Sequence, residues 1–153
     1  IGRLKMNKSV KTVSVLGSTG SVGTQALDVI KELGLDVVMI TGHKNIKLIA
    51  EQIKEFSPEI ACVADCDTAR ELEKMIGNCA TKVIFGEEQM SDALEAHCAD
   101  VTVHAIAGLA GLASALKASR TPTRLAMANK EAVICAGTFW YLFLKDKQGK
   151  TQK

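Results

Sequence analysis

The chain has 153 residues, a length that suits one domain of ordinary size with room for a full hydrophobic core. It is 47% hydrophobic, 24% charged and 4% aromatic, with a net charge of +2, close to the average of globular proteins. Such a balance has neither the basic surplus nor the aromatic platforms of a nucleic-acid binder, and no apolar run reaches the roughly 18 residues of a membrane span, so neither partner is expected.

Residues 1–10, which begin at Ile1 rather than Met, are expected to be a leader or a disordered start. Short β-branched runs then recur about every twenty residues, the rhythm of βα units in a parallel sheet. Strands are predicted at Thr12–Leu16, Val37–Thr41, Glu59–Val63, Lys82–Phe85, Val101–Ala107 and Arg124–Met127. Several are apolar on both faces, as strands covered by helices on both sides should be. Helical periodicity fills the gaps. Val22–Leu33 sets Val22, Ala26, Val29, Ile30 and Leu33 on one stripe and stops at Gly34. Ile46–Phe56 repeats the pattern behind an Asn45 N-cap, and Thr68–Ile76, Glu88–Ala96 and Leu109–Ala118 complete the alternation. Right-handed crossovers make this α/β, a doubly wound and mostly parallel sheet.

A different composition closes the sequence. A helix is predicted from Glu131 to about Asp146, and residues 138–153 hold the only Trp, the only Tyr and two of the four Phe before a lysine-rich end. The domain is therefore placed at 11–137, with 138–153 a divergent aromatic and lysine-rich tail. Five cysteines (Cys62, Cys66, Cys79, Cys98, Cys135) are an odd number without framework spacing, which points to a reduced, cytoplasmic setting. Cys62, Cys66, His97 and Cys98 match no standard zinc pattern, so no metal site is expected among them.

The densest signal is Val13-Ser14-Val15-Leu16-Gly17-Ser18-Thr19-Gly20-Ser21-Val22-Gly23, a strand running through G-x-x-G-x-x-G into a helix. Gly17 allows the tight turn, Gly20 lets backbone approach a phosphate, and Gly23 permits close packing of helix on sheet. The amides of the helix start, with the hydroxyls of Ser18, Thr19 and Ser21, then face an anion, and the domain reads as Rossmann-like.

The end of the second strand, Ile40-Thr41-Gly42-His43-Lys44-Asn45, suggests which dinucleotide. An NAD site usually carries an acid there to accept from the ribose 2′-hydroxyl. Here a cation stands among small and amide side chains, which favours NADP through the 2′-phosphate. A solvated turn is the competing reading of Lys44. Asp65, Asp67 and Glu71, around the end of the third strand, read as an ordinary solvated arrangement.

Asn129-Lys130-Glu131 follows the sixth strand at once, where strand ends line the ligand crevice of open α/β sheets. Lysine in a first helical turn opposes the macrodipole, so an anionic or polar ligand is the better reason for Lys130. Asn129 reads equally as an N-cap. His104, inside Val-Thr-Val-His-Ala-Ile-Ala-Gly, reads as a strand histidine, and Arg120 and Arg124, flanking Pro122, as solvated charges.

With these residues in view the chain resembles the amino-terminal part of the 1-deoxy-D-xylulose 5-phosphate reductoisomerase family. The matching stretches are VLGSTGSVGTQALDVI, ITGHKNIKLIAEQIKEFSPE, AIAGLAGLASALKA and LAMANKEAVICAG, in family order over roughly residues 11 to 137. The resemblance implies NADPH and a divalent metal (Mg or Mn). It implies conversion of a sugar phosphate to 2-C-methyl-D-erythritol 4-phosphate in isoprenoid-precursor synthesis, and possible homodimers. It places Thr19, Gly20, Ser21 and Val22 on the pyrophosphate, Gly42, His43, Lys44 and Asn45 near the adenosine end, Asn129 and Glu131 on the cofactor, and Lys130 on the substrate. The family's metal-binding Asp-x-Glu strand and its later domains have no counterpart here, so no catalytic or metal residue is assigned and the chain is expected to be inactive alone. Two other functions compete. One is a non-catalytic dinucleotide-binding module. The other is a short NADP-dependent reductase, for which Tyr141 and Lys145 give a superficial Tyr-x-x-x-Lys pair.

Overall fold

The fold is seen in a computed structural model that describes residues 9–108 and 110–128. Strands and helices alternate in the predicted order: β1 (Thr12–Leu16), α1 (Ser21–Glu32), β2 (Asp36–Thr41), α2 (Ile46–Phe56), β3 (Ile60–Val63), α3 (Cys66–Ile76), β4 (Lys82–Phe85), α4 (Gly86–Ala96), β5 (Val101–His104), α5 (Ala110–Arg120) and β6 (Arg124–Met127). β1, α2, β4 and β6 keep their predicted bounds. β5 stops three residues early, because the chain beyond His104 leaves the ladder to wrap over the turn after β1. The predicted helix from Glu131 and the tail lie outside the described residues.

All strand pairings are parallel, in the order β4-β3-β2-β1-β5-β6. β1 is the pivot. Its register runs Leu16 to Thr41 on one side and Leu16 to His104 on the other. The chain first winds outward through β2, β3 and β4, then returns through α4 to build β5 and β6 on the far side. The strand order therefore reverses at β1, and a crevice opens outside the carboxyl ends of β1 and its two neighbours.

Each face of the sheet has its own core. Val13, Val15, Val37, Ile40, Ala61 and Val63 pack under α1, α2 and α3, through Leu27, Ile30, Ile49, Ile53 and Leu72. Leu16, Met39, Ile60, Cys62 and Ile84 pack under α4 and α5, through Met90, Ala93, Leu94 and Ala118. Burial on both sides explains why β2 and β3 read as continuous apolar runs rather than alternating ones.

The α1 stripe differs from its prediction. The buried face is Gly23, Leu27 and Ile30, while Val22, Val29 and Leu33 are exposed at 43%, 53% and 65%. Gly23 sets the rotation, since only a residue without Cβ can meet the turn after β1, and the apolar count alone could not choose between two overlapping stripes. α1's opposite flank faces α2, where Lys31 pairs with Glu55.

Candidate functional site

β1 ends at Leu16 and the chain turns at once. Gly17 takes φ +84°, and a Cβ there would lie 2.9 Å from the carbonyl carbon and oxygen of Ala105, so the turn is pressed against the loop leaving β5. Gly23 is tighter still, for its Cβ would stand 2.1 Å from the Gly17 oxygen. Gly20 differs from both. Its backbone is ordinary extended chain (φ −79°, ψ 169°), and the nearest atom to an added Cβ is the Gly17 oxygen at 3.6 Å. Neither strain nor packing within the fold asks for glycine at 20, and the position opens on the crevice.

α1 starts without a side-chain cap and without an acid in its first turn. By contrast, Asn45 caps α2 through Leu48 N at 3.3 Å, and Asp65 caps α3 through Thr68 N at 2.8 Å. The first bond into the α1 ladder is Thr24 N to the Gly20 oxygen at 2.9 Å. The amides of Ser21, Val22 and Gly23 come before it and carry the positive end of the helix dipole. An anion at this corner would be met by backbone donors.

Two residues that sequence reasoning missed hold the turn in place. Thr41, closing β2, accepts Gly17 N at its hydroxyl (2.9 Å) and carbonyl (3.1 Å), and accepts Ser18 N at its carbonyl (2.8 Å). Gln52, buried on α2, accepts the Ser18 hydroxyl at 2.7 Å and donates to the Ser18 carbonyl at 2.9 Å. This corrects the reading of Ser18. Its hydroxyl does not face the crevice; it is fully buried and tied to α2. The available signal was Gln52 itself, a polar residue set among Ile49, Ala50 and Ile53 on the buried stripe of α2.

The crevice encloses about 520 Å³. Its floor is Gly17, Thr19 and Gly20; Gly42 and His43 beyond β2, Cys62 to Ala64, the start of α4 at Gly86 and Glu87, and the Ala105–Ala107 loop form the walls. At Gly42 an added Cβ would lie 2.6 Å from Ile49 Cδ1, the tip of a core side chain. His43, Lys44 and Asn45 stand exposed on the outer rim, with the Asn45 carboxamide oxygen already engaged as the α2 cap. Ser21 and Val22 are exposed at the first turn of α1.

Two titratable groups bear on the chemistry. Burial pushes the Cys62 thiol up to about 12, so this wall carries a neutral thiol and no thiolate nucleophile. His104 is fully buried, with Nε2 2.8 Å from the Ser114 hydroxyl and Nδ1 without a partner. Burial holds its pKa below the ordinary value, as suits a core imidazole rather than a base facing a ligand. Arg120 and Arg124 are exposed. Among the described residues no three of His, Cys, Asp and Glu converge to hold a metal ion, and no helix is long and apolar enough to cross a membrane. Leu109, Asn129, Lys130, Glu131, Cys135, Tyr141 and Lys145 lie outside the described residues. The described chain does reach the crevice edge at Ala128, whose amide donates to the His104 carbonyl at 3.0 Å.

The profile of the 1-deoxy-D-xylulose 5-phosphate reductoisomerase family matches residues 13–137. The chain belongs to that family. The reductoisomerase of Lachnospira eligens is 36% identical over 129 residues, which cover 84% of this chain and 34% of that protein. That of Caldanaerobacter subterraneus is 36% identical over 141 residues, 91% of this chain and 36% of that protein. The solved reductoisomerase of Zymomonas mobilis in complex with NADPH superposes with a TM-score of 0.78 at 32% identity, covering 86% of this chain and 35% of that one. A reductoisomerase solved with magnesium gives 0.77 at 28% identity, covering 84% and 33%. The chain thus spans about a third of the length of the relatives it matches. The fold is that of the family's amino-terminal, Rossmann-like domain.

Proposed function

We propose that this chain is an NADPH-binding domain of the reductoisomerase type, with the cofactor pyrophosphate on the first turn of α1. The observation that carries this is the uncapped helix start directly behind Gly17 and Gly20, which line the crevice at the reversal of strand order. Thr19 and Ser21 add hydroxyl donors, and Gly20 leaves room for the phosphate. Gly42 to Asn45 form the adenosine side, with Lys44 toward the 2′-phosphate. The likeness to the Zymomonas mobilis reductoisomerase with NADPH supports this reading.

NADPH, when bound, supplies a hydride from its dihydronicotinamide ring. The chain's own part is to hold and orient the dinucleotide, with Asn129 and Glu131 assigned to the cofactor and Lys130 to a sugar-phosphate substrate on the strength of the family resemblance. The whole reaction needs more. The converging acids that a divalent metal requires are not found among the described residues, so no step is assigned to a metal here. By this proposal residues 1–153 alone are expected to bind NADPH without consuming it, and homodimers are carried over from the family as part of the proposal.

Fluorescence titration of the purified chain with NADPH, followed by addition of deoxyxylulose phosphate and Mg²⁺ or Mn²⁺, tests both halves. Saturable binding with no loss of nicotinamide absorbance is expected. Absence of binding overturns the cofactor assignment, and steady substrate-dependent oxidation overturns the assignment of the chemistry to parts of the family not represented here.

A further inference from the structure

The outer rim of the crevice is built by two chain segments that run side by side. β2 and β3 are parallel, with Thr41 opposite Cys62, and Gly42 N donates to the Cys62 carbonyl at 3.0 Å. Lys44 comes three residues after Thr41, and Asp65 three residues after Cys62, so a cation and an acid leave the sheet at the same edge. Both are exposed. Asp65 is held there, because it caps α3 through Thr68 N at 2.8 Å, whereas the Lys44 stem has no such anchor among the described hydrogen bonds. The Asp65 carboxyl lies below the usual carboxylate range. The Thr68 amide is the largest cause, followed by the Thr68 hydroxyl and the Asp67 amide, with the positive charge of Lys44 a smaller contribution in the same direction.

We propose that Asp65 is a specificity-determining residue of this site, offsetting the Lys44 charge and repelling the 2′-phosphate, so that it limits how strongly the chain prefers NADPH over NADH. The proposal deepens the cofactor reading and rests on it. A dinucleotide site that favours NAD commonly carries its acid at the end of the second strand. Here that position is free of acid, and the acid stands one strand further out, where it opposes a phosphate only in part. A phosphomonoester carries about −1.5 to −2 charges near neutral pH, whereas a ribose hydroxyl carries none, so a nearby carboxylate acts on one cofactor and hardly on the other.

Asp65→Asn removes the charge while keeping a side chain that caps helices equally well. NADPH and NADH are titrated by fluorescence into residues 1–153 as wild type, Asp65→Asn, Lys44→Gln and the double variant. The expected result is a rise of about threefold to tenfold in the NADPH-to-NADH affinity ratio for Asp65→Asn, as suits a screened surface charge. NADH affinity should stay within about twofold, and the gain should shrink by about half or more in the Lys44→Gln background and at high salt. A loss of both affinities in parallel would mark Asp65 as a structural cap only and overturn the proposal. An unchanged or lowered ratio with intact binding overturns it as well and leaves the cofactor reading standing. Binding of neither cofactor by any of the four proteins overturns both.

Discussion

The crevice has two unlike ends. At the floor, the turn from β1 to α1 is made of backbone, and nearly every position is dictated by something inside the fold. Gly17 is pressed on Ala105, Gly23 on Gly17, and Ser18 is tied to Gln52 and Thr41. At the rim, His43, Lys44 and Asp65 are exposed side chains that packing does not fix in kind. Preorganised backbone donors at a helix start act strongly on any pyrophosphate, while exposed side-chain charges act weakly and under salt screening. The floor is thus suited to grip what all dinucleotides share, and the rim to tell one from another.

Breaking the floor should produce the largest effect. Gly23→Val forces a branched side chain into the space held by the Gly17 oxygen, which should cost on the order of 3 kcal/mol or more and lower the thermal midpoint by roughly 10 °C. A midpoint near wild type would show that α1 does not depend on that contact. Gly20→Val separates binding from folding within the same turn. Its Cβ has room, so stability should fall by only about 1 kcal/mol through the poorer N-cap. NADPH affinity should nevertheless fall by about a hundredfold or more, as read by titration, because the side chain occupies the phosphate approach. If the folded variant binds normally, the pyrophosphate is not there.

The rim should respond more gently. Lys44→Glu is expected to shift the NADPH-to-NADH affinity ratio about tenfold toward NADH. A charge-assisted contact is worth roughly 1.5–3 kcal/mol at best, and the exposed rim takes the lower end. Parallel titrations that show an unchanged ratio would return Lys44 to the status of a solvated turn residue.

The smallest effect concerns the wall behind the crevice. His104 has its folded pKa lowered below the 6.5 of an unperturbed imidazole. Below that value the unfolded chain takes up the proton first, so stability present above pH 6.5 is lost as pH falls toward the folded pKa. Thermal midpoints at pH 7.5 and 5.5 should therefore fall further apart for wild type than for His104→Asn. Equal slopes would mean that His104 gains its proton without opening the fold.

The same contrast explains what the sequence revealed. The βα rhythm, the glycine spacing and the Asn45 cap are local signals, each decided within a few residues, and they placed every described element and the floor of the site. What stayed hidden was non-local. Ser18 meets Gln52 across 34 positions, and nothing near Ser18 says that its hydroxyl turns inward. Asp65 reads as a solvated acid in the sequence and is exposed in the structure, but that it leaves the same sheet edge as Lys44 follows only from the β2–β3 pairing. The α1 stripe failed for the same reason, since the contact that orients the helix is between Gly23 and a turn, not between apolar side chains.

In the proposed cofactor site, backbone amides at the start of α1 hold the pyrophosphate. Amide chemical shifts and hydrogen exchange of the labelled chain, measured with and without NADPH, test it residue by residue. The amides of Ser21, Val22 and Gly23 should shift most and become slower to exchange when NADPH is added, with Thr19 and Gly20 close behind. Saturable NADPH binding that leaves these amides unchanged, with the perturbation centred elsewhere on the domain, would mean that the cofactor does not sit on the start of α1.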